Sequence, residues 1–152
     1  MSTNWPTNGP NNVPSYQISG FPFVTSSNGD ELKTASGNVV RIQFPYITSA
    51  IALTGVSGNS GMIRMGFTEN GVKGTETHNY ITVPVVGSRP ITTPQFHIRC
   101  KEIYLMAEAS TQDVGFSVYA QLTGLKTNLL PTLTGSIDPA LTTERIVFEG
   151  VG

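Results

Sequence analysis

Short runs of alternating apolar and polar residues recur along most of this chain and constrain its fold more than any other feature. In the clearest run, Val40, Ile42 and Phe44 alternate with Arg41 and Gln43. Successive side chains of a β-strand point to opposite faces, so this run predicts a half-buried strand. Six further runs of alternating or apolar residues predict strands as well: Ala50–Leu53, Ile63–Phe67, Tyr80–Val83, Phe96–Cys100, Ile103–Ala107 and Phe116–Leu122.

The spacing of these runs indicates how the strands are arranged. Most of them follow one another at about ten residues, separated by Gly, Pro and charged residues, which is typical of antiparallel sandwiches and barrels. An eighth strand would come from Phe21–Thr25, from Val85–Thr93 or from the C-terminal stretch. The sequence therefore predicts an all-β fold, an antiparallel β-sandwich. Periodicity alone does not separate a jelly roll from an immunoglobulin-like sandwich.

The 152 residues suit one domain with two irregular ends. Residues 1–20 contain three prolines and few apolar side chains, which predicts an N-terminal arm, and the strand-forming domain covers residues 21–125. Residues 126–152 form a C-terminal extension, in which Asp138 and Pro139 are suited to begin a helical turn. Ile146–Phe148 is suited to pair with a sheet edge, either its own or that of a neighbouring molecule.

Both ends are rich in Pro, Asn or Gly and bury too little apolar surface to order themselves. We therefore expect neighbouring copies or other proteins to hold them. The expected anchors are Trp5, Val13, Tyr16 and Ile18 in the arm, and Leu129, Leu130, Leu133, Ile146 and Phe148 in the extension.

The low charge of the chain restricts its partners. Only 12% of the residues are charged and the formal net charge is -1, so no basic field is present to attract nucleic acid. Cys100 is the only cysteine, which excludes an intramolecular disulfide and favours a reducing compartment. The first residues lack the pattern of a secretory signal and no apolar run is long enough to span a bilayer, so we expect a soluble product made in the cytoplasm without direct membrane insertion.

The residues that carry catalysis or bind metals are sparse. His97 and Cys100 are the most tempting pair, but residues three apart on a strand face opposite sides, which places Cys100 in the core and His97 outside. The only other histidine is His78, so the histidine cluster of a cupin-type metal site is missing. A glycosidase needs a pair of carboxylates, but the candidate carboxylates mostly lie in predicted turns or at strand ends: Glu69, Glu76, Glu102, Glu108 and Asp113.

The glycine groups Gly55–Gly61 and Gly71–Gly74 lack the features of a phosphate-binding loop and are predicted to be turns. Arg99, Lys101 and Lys126 form no cluster that would suit nucleic acid. We therefore predict no enzyme activity, no cofactor and no catalytic, cofactor-binding or metal-binding residue. The expected role is association with other proteins.

Four segments, taken in order, resemble the vertex (penton) proteins of large icosahedral double-stranded DNA viruses, including algal and giant viruses. The segments are Phe44–Thr48, Gly66–Val72, Phe96–Leu105 and Val118–Leu125, and the resemblance spans about residues 18–125 in the same order and at similar spacing. It implies a single jelly roll, five copies of which ring each fivefold vertex of the capsid. The implied partners are the chain itself as a homopentamer, the double jelly-roll major capsid protein and minor capsid proteins. The implied location is the virion, after assembly in the host cytoplasm.

A second hypothesis is a carbohydrate-binding or receptor-binding jelly-roll module of a viral spike. Sugar sites stack a ring on an exposed aromatic side chain; Trp5 lies in the arm, which leaves Tyr46, Tyr80, Tyr104 and Tyr119 as candidates. Under either hypothesis the alternation predicts the same core: Ile42, Phe44, Ile63, Phe67, Phe96, Ile98, Leu105, Phe116 and Val118.

Overall fold

The computed structural model describes residues 20–27, 32, 38–56, 61–74, 78–86, 89–108 and 114–130. The strands within these ranges are β1 (Phe21–Ser27), β2 (Val40–Gln43), β3 (Tyr46–Val56), β4 (Gly61–Gly66), β5 (Tyr80–Val85), β6 (Ile91–Thr92), β7 (Glu102–Ala107) and β8 (Gly115–Lys126). A short helix, α1 (Glu69–Lys73), follows β4, and a 3-10 turn (Thr127–Leu129) follows β8. The fold is all-β, as the alternation predicts.

The eight strands form two four-stranded antiparallel sheets in the order β1-β8-β3-β6 and β2-β7-β4-β5. The pairing is nested: β1 pairs with β8, β2 with β7, β3 with β6 and β4 with β5. An eight-stranded chain wound in this way is a single jelly roll, the double-sheet form of antiparallel sandwich. The strand order therefore distinguishes a jelly roll from an immunoglobulin-like sandwich, which periodicity alone does not. The hypothetical arm (residues 1–20) lies outside the described residues except for Gly20, and so does the extension beyond Leu130.

The core lies between the two sheets, where the inward residues of the strands meet. Ile63, Met65, Leu105 and Val118 are among the fully enclosed side chains. Six of the nine predicted core residues are buried: Ile42, Phe44, Ile63, Leu105, Phe116 and Val118. The other three, Phe67, Phe96 and Ile98, are only partly buried and pack against this cluster from its margin.

The predicted strand Phe96–Cys100 is wrong. The segment makes one isolated bridge, Phe96 to Ile51, and then leaves the ladder. Its next hydrogen bonds to β3 all involve Thr48. The Thr48 amide donates to the Cys100 carbonyl at 3.0 Å, and the Thr48 hydroxyl oxygen accepts from the Cys100 amide at 3.0 Å. The alternation of apolar residues is present, since Cys100 is buried and His97 is exposed, but the hydrogen bonds of a ladder strand are not.

The turn predicted at Gly71–Gly74 is also wrong, because Gly71 belongs to a short helix. Asn70 and Gly71 both lie in α1, which begins after Thr68. The Thr68 hydroxyl accepts a hydrogen bond from the Gly71 amide at 3.2 Å. The residue with positive φ is Gly74, at 66°, which ends the helix in the left-handed conformation that glycine adopts most easily. Val72 is fully buried, so α1 covers one end of the core.

β3 and β8 are longer than predicted: β3 covers Tyr46–Val56 and β8 covers Gly115–Lys126. β3 begins at Tyr46 instead of Ala50, and its pairing with β8 shifts register between Tyr46 and Thr48 and again between Thr48 and Ala50. These irregularities interrupt the period of two and conceal the strand in the sequence. Two of the places proposed for the eighth strand do contain strands, β1 and the two-residue β6.

Candidate interaction surfaces

His97 and Cys100 are the candidates for nucleophilic or metal chemistry, and their side chains lie on opposite sides of the same segment. Cys100 is 6% exposed, whereas His97 lies outside, as the strand period predicts. Burial raises the pKa of the Cys100 thiol to about 11, which keeps it protonated at neutral pH. Within the described ranges, no group of three or more His, Cys, Asp or Glu residues is placed to hold a metal ion.

Three of the five candidate carboxylates are engaged in ion pairs. Glu69 pairs with Lys73 across one turn of α1, and Glu108 lies 3.6 Å from the guanidinium of Arg64. Glu102 accepts two hydrogen bonds from Arg41 on a single oxygen, at 2.8 Å from Nε and 2.5 Å from Nη2. Glu76 and Asp113 lie outside the described residues. The three described carboxylates are therefore spread over a helix and opposite ends of β7, not paired with one another.

The outer face of the β2-β7-β4-β5 sheet carries arginines over tyrosine rings. The guanidinium carbon of Arg64 lies 4.5 Å from the ring centroid of Tyr80, within the range of a cation–π contact. That of Arg41 lies 6.0 Å from the ring of Tyr104. Burial raises the pKa of Tyr104, and the adjacent Glu102 carboxylate adds to the shift. Sequence reasoning missed this network, because Arg41 and Glu102 lie 61 positions apart in the chain.

The outer face of the opposite sheet is different in character. Its strands place Val24, Tyr119 and Ala52 side by side in one cross-strand row. A neighbouring row contains Ser117 and Thr54, and the Thr54 hydroxyl is 2.9 Å from that of Thr92. The outward residues over the middle of this face carry no charge: Pro22, Val24, Ser26, Ala52, Thr54, Thr92, Ser117, Tyr119 and Gln121. Such a face can be covered by another protein without desolvating an ion.

The two lateral sides of the sandwich both expose apolar side chains, although through different residues. On the side formed by β1 and β2, Phe21 is 65% and Val24 is 66% exposed. On the side formed by β5 and β6, Ile81 is 42% exposed, and Val86, just beyond β5, is 46% exposed. The molecule therefore has two unlike apolar sides, which is the arrangement that head-to-tail contacts require.

An open cleft of about 560 Å³ lies at the end of the sandwich where β2 turns into β3. Its walls include Arg41, Glu102, Lys101 and Asn128, and its apolar side is Phe44 and Pro45. Arg41 and Glu102 form part of its rim, and their charges are already joined in an ion pair.

The four tyrosines named for sugar stacking differ in accessibility. Tyr80 lies under Arg64, and Tyr104 is half-buried between Arg41 and Glu102. Tyr46 and Tyr119 are each 38% exposed, at the start of β3 and on the uncharged face. Tyr119 also accepts a long hydrogen bond from the Gln121 amide, at 3.4 Å. Trp5 lies outside the described residues.

None of the helices in the described ranges is long and apolar enough to cross a membrane. No protein-family model matches the chain, and no curated protein matches it either.

Proposed function

We propose that this chain is a structural capsid protein, a penton whose five copies form a ring at the vertices of an icosahedral virion. Its chemistry is limited to association. The major capsid protein and minor capsid proteins of the shell are its further partners. The resemblance of four sequence segments to viral vertex proteins supports this choice.

The observation that carries the proposal is the pair of unlike apolar sides on one jelly roll. A ring closes when one patch of each copy binds a different patch of the next copy. Val24 lies beside the β1 edge and Val86 lies just beyond the β5 edge, on the opposite lateral side. The scarcity of charge on the outer face of β1-β8-β3-β6 allows close packing around these contacts.

A mixing experiment tests the head-to-tail arrangement. Val24→Glu disables one side and Val86→Glu the other, and both positions are exposed, so the fold tolerates the change. Each variant alone is expected to be monomeric in sedimentation velocity. An equimolar mixture is expected to form one-to-one dimers and nothing larger, because only one good interface can form between the two variants.

A control is Asn70→Glu, at an exposed position of α1, which covers one end of the core. It is expected to leave the ring intact, since that position lies at an end of the sandwich and not on a side. Rings formed by either side variant, or a mixture that stays monomeric, would contradict the proposal. A monomeric wild-type chain that binds a glycan array would favour the carbohydrate-binding alternative.

A further inference from the structure

The edge strand β1 turns every second set of backbone groups away from its sheet. Pro22 lies opposite Gln121 of β8 and has no amide hydrogen, so these two residues form a pair without mutual hydrogen bonds. Bonded and non-bonded pairs alternate along an antiparallel ladder, so Val24 and Ser26 also turn their amides and carbonyls away from β8. In the part of the chain that the structure describes, no strand lies on that side of β1.

The edge strand β5 of the other sheet has the same arrangement. The Met62 carbonyl accepts a hydrogen bond from the Glu108 amide at 2.9 Å, so the backbone groups of Met62 face β7 and not β5. Pro84 lies opposite Met62 and therefore turns its backbone away from β4. By the same alternation, the amides and carbonyls of Tyr80 and Thr82 point to the free edge.

These two edges lie on opposite lateral sides of the sandwich, and neither strand carries a charge. Of the other two edges, β2 has four residues and carries Arg41, and β6 has two residues. Long uncharged edges are normally covered in native proteins, since they offer a row of backbone groups to any passing strand. One such edge on each side is what a head-to-tail contact between copies would join.

β1 and β5 run in the same direction within one molecule. β1 and β3 are both antiparallel to β8, so they run alike. Only residues 57–60 connect β3 to β4, too few to return along the 11 residues of β3. β4 therefore runs back against β3, and β5, which is antiparallel to β4, runs with β1.

A closed ring fixes the orientation of any strand pairing between its copies. Neighbouring strands of one sheet differ in direction by roughly 20–25°. Rotation by one fifth of a turn keeps two strands that close in direction only when they lie nearly along the ring axis. Antiparallel pairing needs a half turn, which belongs to a twofold dimer. In a fivefold ring, β1 and β5 of neighbouring copies therefore meet in parallel.

One parallel register uses the free backbone groups of both edges. It places Val24 beside Ile81 of the next copy and allows four successive hydrogen bonds. Written with the donor first, these bonds are Tyr80 to Pro22, Val24 to Tyr80, Thr82 to Val24 and Ser26 to Thr82. Pro22 and Pro84 fall at the two ends of this run, so their missing amides do not interrupt it.

The same register joins apolar side chains that a single molecule leaves exposed. Val24 is 66% and Ile81 is 42% exposed, and the two would lie side by side. Moving β5 by two residues in one direction puts Pro84 inside the run of bonds. Moving it by two residues in the other direction puts the polar Ser26 beside Ile81. The register with Val24 beside Ile81 is therefore the most favourable of the three.

We infer that β1 of each copy pairs in parallel with β5 of the next copy, with Val24 beside Ile81. The ring is then held by a backbone ladder between copies, and the strands of every copy lie along the ring axis. Backbone hydrogen bonds provide the affinity of such strand additions without an ion pair. This inference rests on the proposed ring and names the contact that closes it.

Disulfide trapping tests the register. Neighbouring strands lie about 4.8 Å apart, within the Cα spacing that a disulfide spans. Val24→Cys with Ile81→Cys in one chain is expected to form bonds between copies under mild oxidation, seen by peptide mapping without reduction. Val24→Cys with Thr82→Cys is the matched control, because the exposed Thr82 side chain points to the other face of β5. Its yield is expected to be at least about tenfold lower.

Native mass spectrometry of the wild type separates failure of this pairing from failure of the ring. A five-copy assembly whose two cysteine pairs give equal yields would overturn the strand pairing and leave the ring standing. A wild type without any closed assembly would overturn both. Disulfides between two chains that carry Val24→Cys alone would assign the β1 edge to a twofold contact and overturn the pairing with β5.

Hydrogen exchange tests the ladder without cysteines. In the wild-type assembly, the four donor amides of the ladder are expected to exchange at least about tenfold more slowly than in the monomeric Val86→Glu chain. The amides of Phe23 and Val83, which bond within each copy, are the internal control and are expected to exchange alike in both proteins. Donor amides already protected in the Val86→Glu chain would show that the chain covers its own edges, which would overturn the inference.

Discussion

The Thr48 hydroxyl accepts a hydrogen bond from the Cys100 amide at 3.0 Å, where a regular strand pair would supply a backbone carbonyl. The same hydroxyl donates to the carbonyl of Ile98 at 2.9 Å, and its oxygen lies 3.4 Å from the Cys100 sulfur. Thr48 itself is fully buried. Thr48 therefore binds the irregular segment before β7 through its hydroxyl as well as its backbone amide, at the place where the register of β3 shifts.

Thr48→Val should destabilise the protein by about 1 to 3 kcal/mol, because the Cys100 amide would be left buried without an acceptor. Urea unfolding measures this difference. Thr54→Val is the matched control: its hydroxyl bonds Thr92 on the exposed face, and we expect a loss within about 0.5 kcal/mol. Equal losses of free energy of unfolding in Thr48→Val and Thr54→Val would show that the buried Thr48 bond stabilises the protein no more than the exposed one.

Phe116→Ala and Phe67→Ala should differ. Phe116 is 2% exposed between the sheets, so emptying its site is expected to cost about 3 to 5 kcal/mol in free energy of unfolding. Phe67 is only partly buried at the margin of the core, and its removal is expected to cost about half as much. Losses under about 1 kcal/mol at Phe116 would be incompatible with the described core.

Cys100 should resist alkylation in the folded protein. Its thiol is buried and protonated, whereas the alkylating group attacks an accessible thiolate. At pH 8 a maleimide is expected to modify Met62→Cys, at a side chain that is 49% exposed, within minutes and Cys100 only after unfolding. Mass spectrometry of the labelled peptides distinguishes the two sites, and rapid labelling of Cys100 would place it on the surface.

The same thiol makes stability fall at high pH. Burial raises the pKa of the thiol in the folded protein to about 11 from its ordinary value of 9.0. The contribution of the thiol to the free energy of unfolding is therefore fully present below pH 9. It is lost as the pH rises through 11, because the unfolded chain releases the thiol proton at a lower pH than the folded protein does. Between pH 8 and 11 the wild type should lose roughly 2 kcal/mol more stability than Cys100→Ala. If the wild type and Cys100→Ala lose the same free energy of unfolding between pH 8 and 11, the raised pKa of Cys100 is contradicted.

Local patterns in the sequence predicted most strands but not their pairing. The runs at Val40, Ile63 and Ile103 are strands because alternating apolar residues have one buried face to fill. The pairing of β1 with β8 joins Phe21 to Leu122, a contact about a hundred positions apart that no local pattern encodes. The jelly-roll order therefore came from the resemblance and not from the periodicity.

Two misassigned segments have specific physical causes. The strand predicted at Phe96 is wrong because regular backbone pairing with β3 stops after the Phe96–Ile51 bridge, and the Cys100 amide then donates to the Thr48 side chain. The helix α1 was missed because Asn70–Gly71 is a frequent turn pair, although the signals of a short helix were present: Thr68 as cap, an acidic first turn, Lys73 in the last turn and Gly74 after it. The paired charges and the apolar sides depend on tertiary contacts and could not be read from the chain.

The mass of the native assembly tests the central claim most directly. Native mass spectrometry of the full chain, supported by sedimentation velocity over a range of concentrations, counts the copies without any substitution. We expect one closed assembly of five identical chains and no series of larger assemblies. A stable dimer with a twofold interface, or a monomer at every concentration, would contradict the proposal that this jelly roll works as a vertex ring.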